Sequence, residues 1–486
     1  MVRSIRFALR PPRYLVPMIV ACALFMENMD ATVIATALPT IARDFGESAL
    51  ALNLAITCYL LSLGIFLPLS GWLADRIGAR AVFASAIVVF TLGSIGCSSV
   101  ESLGQLVIAR IVQGMGGAMM VPVGRLVVLR TIPKAELVSA MAYLTVPALI
   151  GPVVGPPLGG FIVTYFSWRW IFWINIPIGV LGFALALRFI PNVREPRREP
   201  LDALGFVIVS LGLAGTMFGF ENVGRGILPN DAVAALICGG IAFLALYAWH
   251  ARRVAAPILD VALVRVRTFR ASVLGGFVFR IGIGALPFLT PLMLQLGFGL
   301  SPFASGMITF AGAAGAITMK MTAAPILRVL GFRTVLLINT VVCSISIAAY
   351  GFFRPSTPHA LIIGVLLVGG FFRSLQFTSL NTLAYAEIDP MRMSRATTLS
   401  AVAQQLSLSF GVGLGALLLH ATLLYHGRNE LGATDFSPAY FAIAAISLLS
   451  LAFFVPLPRD AGAEISGRRE TRPEAIAEGA ATHPAE

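Results

Sequence analysis

About fourteen apolar segments, each long enough to cross a bilayer, follow one another between residues 14 and 456. Lipid offers no water to backbone N–H and C=O groups, so such segments close their own hydrogen bonds as helices. The fold class is therefore an all-α polytopic membrane protein. Six segments lie near 14–38, 50–72, 80–98, 102–124, 137–166 and 170–190. Two follow near 203–223 and 232–250, and six more near 269–296, 303–325, 334–353, 360–384, 396–423 and 437–456. Only 12% of residues are charged, against about 25% in soluble proteins. The net charge of +12 is spread over short loops, which makes it an orientation signal and not a nucleic-acid surface. Lys134 and Lys320 are the only lysines and neither follows a glycine, so the chain holds no Walker A motif and no ATP-driven pump of its own. Five cysteines sit singly in apolar segments, which argues against a disulfide framework or a metal site.

Arginine places the loops. Arg3, Arg6, Arg10 and Arg13 precede the first segment, and basic loops recur at 75–80, 130–134, 188–198, 252–270, 328–333 and 392–395. Their alternation with loops poor in positive charge puts both termini in the cytoplasm. An internal repeat overlies segments one to six on nine to fourteen. Ala109-Arg110-Ile111-Val112-Gln113 matches Phe372-Arg373-Ser374-Leu375-Gln376, and the loop 75–80 matches 327–333. Two parallel six-span halves are the layout of transporters that rock around a midplane site. The organisation is a cytoplasmic N-terminus (1–13), a six-helix bundle (14–190), a linker with two extra helices (191–268), a second six-helix bundle (269–456) and a tail (457–486) expected to be disordered and cytoplasmic.

The fifth segment carries four glycines and three prolines between Gly151 and Gly160. Proline removes a backbone donor and glycine admits a neighbouring backbone. This stretch is either a bending point in a machine that changes shape or a small-residue packing face. Together with Gly71-Trp72-Leu73-Ala74-Asp75-Arg76-Ile77-Gly78-Ala79-Arg80, Arg110 to Ala118 and Asp30 to Pro39, it resembles the motifs of the major facilitator superfamily. Within that superfamily it is similar to the fourteen-span drug:proton antiporters of the EmrB/QacA type, and among these to the MdtD-like exporters of Gram-negative bacteria. Ala79 departs from the pattern, where a further basic residue is common. The resemblance implies a multi-pass inner-membrane exporter of a small molecule in exchange for protons, with no cofactor, no metal and no enzymatic activity. Its partners are the substrate, protons and the lipid bilayer, and the sequence is silent on any periplasmic adaptor or outer-membrane channel.

Several residues are candidates for the chemistry. Glu27 and Asp30 are three apart and share a helix face. Asp30 is about 22 Å along its helix and Arg110 about 10 Å below the opposite surface, which are similar depths in a core about 30 Å thick. Glu27, Asp30 and Arg110 are the expected proton-coupling set; the alternative is a static buried ion pair. Asp75, Arg76, Gly78 and Arg80 form a tight turn that, by the resemblance, latches onto a helix end of the other half; the alternative is a surface ion pair. Gly151, Gly155, Pro156, Gly159 and Gly160 are expected to serve the same gating motion. Asn28, Gln113, Arg280, Arg373, Gln376 and Gln404 are candidates for lining a substrate cavity, with Arg280 the best placed in the second half to meet an anionic group. Lys320 is expected to snorkel to the cytoplasmic surface. The arginines also leave open an exporter of a metabolite anion such as citrate. A non-exporting transporter, or a sensor on the same fold, stands open as well, because fold alone does not separate these functions.

Overall fold

The computed structural model describes residues 14–47, 49–191, 200–223, 228–427 and 431–466. Helices α1 (Leu15–Phe45), α2 (Ala49–Phe66), α3 (Leu69–Ile77), α4 (Ala79–Ser98), α5 (Leu103–Thr131), α6 (Leu137–Tyr165), α7 (Trp170–Trp173) and α8 (Asn175–Phe189) build the first half. The insert is α9 (Ala203–Asn222) and α10 (Asn230–His250). The second half holds α11 (Arg267–Arg270), α12 (Gly276–Leu292), α13 (Pro302–Tyr350), α14 (His359–Leu383), α15 (Met393–His426), α16 (Phe436–Leu449) and α17 (Leu451–Phe454); a short α18 (Ala463–Ser466) follows. Among the described residues there is no strand.

Eleven described helices are long and apolar enough to span a membrane, or twelve if α2 and α3, bent by 55° at Leu67-Pro68, count as one. The predicted tenth and eleventh segments run together in the 49-residue α13. The chain turns there at Gly331, whose φ of 74° favours glycine, just as Gly78 turns the chain with φ 101° between α3 and α4. The two glycines occupy matching places in the sequence repeat. Despite its prolines, α6 is one continuous helix of 29 residues.

The face that carries the arginine-rich loops is the basic face. The halves meet beside it, where α3 and α5 pack on α15, and α6 packs on α13 and α14. Leu137 and Val138, at the start of α6, are buried among Phe279, Met319 and Leu336 of the second half. On the first half, α9 packs into the core through Val209, Leu213 and Met217, and Ser210 Oγ donates to Ile65 O at 3.0 Å. On the other side of α9, Phe220 packs against Phe410 of α15 with ring centroids 4.1 Å apart and planes tilted by 41°.

At the opposite face, Asp44 accepts from Trp168 Nε1 at 2.9 Å and Arg169 Nη1 at 3.1 Å. The indole N–H, helped by the guanidinium, holds the Asp44 carboxyl below the usual carboxylate range. The tail, expected to be disordered from residue 457, is packed as far as residue 466. Leu457, Ala461 and Ile465 recur every fourth residue and are buried against the second half, next to Phe332 and Leu383. Residues 467–486 lie outside the described residues.

Candidate functional site

The first half holds a buried polar cluster built from five helices. Asp30 projects from α1 and is 2% exposed. It accepts from Arg110 Nη1 of α5 at 2.6 Å, Gln113 Nε2 of α5 at 3.0 Å and Asn175 Nδ2 of α8 at 2.7 Å. Arg110 and Gln113 share a face because they are three apart, and Arg110 Nη1 also donates to Gln113 Oε1 at 2.5 Å. Ser94 of α4 accepts from Gln113 at 2.8 Å and from Asn175 at 3.2 Å. The Arg110 guanidinium lies over the rings of Tyr59 and Phe172 at 4.8 and 5.7 Å. Its Nε and Nη2 have no acceptor.

Glu27, one turn away, is 7% exposed, and among the described residues its Oε2 has no partner; nor has the buried Tyr59 hydroxyl. Among the described residues the cluster thus holds two carboxylates and one guanidinium, and Glu27 is the acid without a counter-charge, an arrangement costly to bury if both acids are ionised.

A second set of cations lies between the halves. Arg280 of α12 is 2% exposed, donates from Nη2 to Asn381 Oδ1 at 3.2 Å, and leaves Nε unpartnered. Arg125 of α5 donates from Nη2 to Gln404 Oε1 of α15 at 3.4 Å and leaves Nη1 unpartnered. Lys320 is buried and donates to Thr378 Oγ1 at 2.6 Å, so it does not snorkel; its azimuth on α13 points it at α14.

Other expected cavity residues are placed differently. Gln113 belongs to the Asp30 cluster and is fully buried. Gln376 is also fully buried and ties α14 to α13 through Thr340 Oγ1 at 2.9 Å. Neither side chain lines an open cavity, because each is spent on bonds between helices. Asn28 donates to Leu24 O of its own helix at 2.8 Å. Arg373 is partly buried, with its guanidinium against Gly312 of α13.

At the basic face Asp75 accepts from Arg130 Nη2 at 3.2 Å and from the hydroxyl of Ser394, in the first turn of α15. Ser70 and Thr398 hydroxyls meet across the same seam at 3.2 Å. Arg76 stacks over Trp72 at 5.1 Å, and Arg80 is partly buried in the first turn of α4. Of the α6 glycines, Gly151 and Gly155 face α1, and a Cβ at Gly151 would lie 3.0 Å from Met29 N and 3.1 Å from Phe25 O. Gly159 is buried, Gly160 borders open space, and the Pro156 side chain lies outside the described ones.

Sequence reasoning missed Tyr59, Ser94 and Arg125. The fourth segment was bounded at residue 124, yet α5 runs on to Thr131, which carries Arg125 inside the bundle. An arginine following so closely on an apolar run was the available signal.

The Major Facilitator Superfamily family model matches residues 20–255 and 272–484. A protein of Klebsiella pneumoniae named "Putative multidrug resistance protein MdtD" is 38% identical over 457 residues, covering 93% of this chain and 97% of that protein. Its namesake in Salmonella typhimurium is 39% identical over 452 residues, covering 91% and 94%. Among solved structures, the proton:xylose symporter XylE superposes with a TM-score of 0.66 at 16% identity, covering 93% of this chain and 98% of that one. The human organic anion transporter MFSD10 gives 0.65 at 14% identity, covering 92% and 100%. Both likenesses bear on the fold alone.

Proposed function

The chain belongs to the major facilitator superfamily, and from that premise we propose that it exports small molecules, multidrug substrates among them, in exchange for protons. The basic face is the cytoplasmic one, by the excess of arginine in its loops. The seam closed by α3, α5, α6, α13 and α15 is then the cytoplasmic gate, with Asp75 as its latch on the first turn of α15. A carboxylate near a helix N-terminus is stabilised by about 0.3–1 kcal/mol, a strength suited to a contact that must open again. The close α1–α6 contact at Gly151 and Gly155 is where the two helices move together or slide.

The observation that carries proton coupling is the unequal pairing of Glu27 and Asp30. Asp30 faces a guanidinium and two amide donors, which leave little room for a proton. Among the described residues Glu27 has no such donors, and we assign it the transported proton while the basic-face seam is closed. Unpartnered N–H groups on Arg110 and the free Tyr59 hydroxyl are the nearby donors that would favour its ionised form after a shift of α1 or α5. Proteoliposomes loaded with ethidium test this. Wild-type protein is expected to move protons inward as ethidium leaves, whereas Glu27→Gln exchanges ethidium without proton movement. Proton movement at the wild-type rate in Glu27→Gln would remove the assignment.

A second reading, an anionic substrate, is favoured by Arg125, Arg280 and Lys320, none of which has a carboxylate within 4.0 Å among the described residues. Under it, citrate competes with ethidium efflux and Arg280→Gln relieves that competition. Ethidium efflux indifferent to citrate would dismiss it.

A further inference from the structure

Helix α5 offers Asp30 an arginine, but it offers Glu27 a glycine. Arg110, Gln113, Gly114 and Gly117 recur at the spacing that keeps them on one face of α5. A Cβ built on Gly117 would stand 3.1 Å from the Tyr59 hydroxyl and 3.7 Å from both Cδ and Oε1 of Glu27. The hydroxyl and the carboxyl therefore border one space, which a glycine at 117 leaves clear. Tyr59 and Glu27 are both buried, and neither the hydroxyl nor Glu27 Oε2 has a partner among the described residues.

Tyr59 is held in place from α5. Gly114 lets α2 and α5 close on one another, since a Cβ there would lie 2.6 Å from Tyr59 O and 2.8 Å from Ser62 Cβ. Ser62, three residues after Tyr59, donates from Oγ to Ile111 O at 2.7 Å. The Tyr59 ring lies against the Arg110 guanidinium at 4.8 Å. Tyr59 thus belongs with α5, whereas Glu27 belongs to α1. Movement of α1 against α5 changes the distance between hydroxyl and carboxyl.

We propose that Tyr59 is a positioning residue for the transported proton, and that Gly117 keeps its approach to Glu27 clear. The inference rests on the reading of Glu27 as the proton carrier. When Glu27 releases its proton to water, the Tyr59 O–H donates a hydrogen bond to the carboxylate across Gly117. Tyr59 keeps its own proton throughout, so nothing is transferred through it. An ionised acid buried without a donor is costly, and this one bond therefore decides how readily the proton leaves. Asp30 does not compete for the hydroxyl, because it already accepts from Arg110, Gln113 and Asn175.

The test separates coupled from uncoupled transport in proteoliposomes. Tyr59→Phe removes the hydroxyl and keeps the ring against Arg110, whereas Gly117→Ala keeps the hydroxyl and fills the space. Both are expected to slow ethidium-driven proton movement, Tyr59→Phe by about tenfold, the scale of one hydrogen bond to a charged group. Exchange of ethidium for ethidium, which moves no proton, is expected to keep its wild-type rate and half-saturating concentration. A purely structural role would slow both processes. Gly104→Ala, on the same helix where an added Cβ meets nothing within 4 Å, is the control and is expected to match wild type. In a Glu27→Gln background, neither variant is expected to change the exchange that remains. If Tyr59→Phe protein fails to reach the membrane, Gly117→Ala carries the same comparison. Proton movement at the wild-type rate in either variant overturns the inference, as does an equal slowing of proton movement and exchange. If Glu27→Gln itself moves protons at the wild-type rate, the proton-carrier reading falls and takes this inference with it. A Glu27→Gln protein that moves no protons, beside an unaffected Tyr59→Phe, rejects this inference alone.

Discussion

Arg110→Met is expected to destabilise the protein by about 3–5 kcal/mol and to abolish uphill transport. Arg110 is fully buried, and its 2.6 Å bond to Asp30 is that acid's only ionic contact among the described residues. Removing one partner of a buried pair leaves the other charge without compensation, and Gln113 and Asn175 supply only amide dipoles in its place. Asp30→Asn strands Arg110 in the same way. The informative variant is the double one. With both charges gone, much of the stability returns, because a neutral site of similar volume has no charge to desolvate. Proton-driven ethidium efflux does not return if the pair takes part in coupling. Thermal unfolding of the purified protein, run beside the proteoliposome assay on the two single variants and the double, checks both halves of the expectation. A double variant that unfolds like wild type and also pumps like it makes the pair a structural brace.

Gly151→Leu is the second large effect. The Cβ it adds meets the backbone of α1, which cannot swing aside as a side-chain tip can. Overpacking of this kind costs about 1–3 kcal/mol. The contact lies beside Asn28 and Met29, between Glu27 and Asp30, so pushing α6 away also disturbs the proposed proton site. Transport is expected to fall much further than membrane abundance. Gly160→Leu, on the same helix but against open space, is the control and is expected to transport normally. Equal losses of abundance and transport in Gly151→Leu would leave the glycine a packing residue and nothing more.

What the sequence made legible follows from what hydropathy encodes. Segment lengths and arginine alternation set how deep each residue lies, which paired Asp30 with Arg110 across eighty positions. Matching Gly78 with Gly331 was legible too, since each sits in a repeat of the same loop. Azimuth was not. A helix apolar on every side carries no periodic mark of which way it faces. Gln113 and Gln376 were therefore assigned to a cavity although both are fully buried and bonded to neighbouring helices. Lys320 was sent to the surface for the same reason, its depth being legible and its bond to Thr378 not. Tyr59 sits in an apolar run where an aromatic residue is unremarkable, and only three-dimensional proximity to Glu27 and Arg110 singles it out.

The unequal attachments of α9 have a mechanical consequence. A directional hydrogen bond ties it to α2, whereas α15 meets it through apolar side chains, the tilted Phe220–Phe410 pair and a bare glycine, Gly413. If the bundles tilt apart in a transport cycle, the hydrogen-bonded side is expected to hold and the apolar side to slip, so that α9 would ride with the first half and wipe along the second. It would then act as a sliding gasket, keeping lipid tails out of the crevice on that flank.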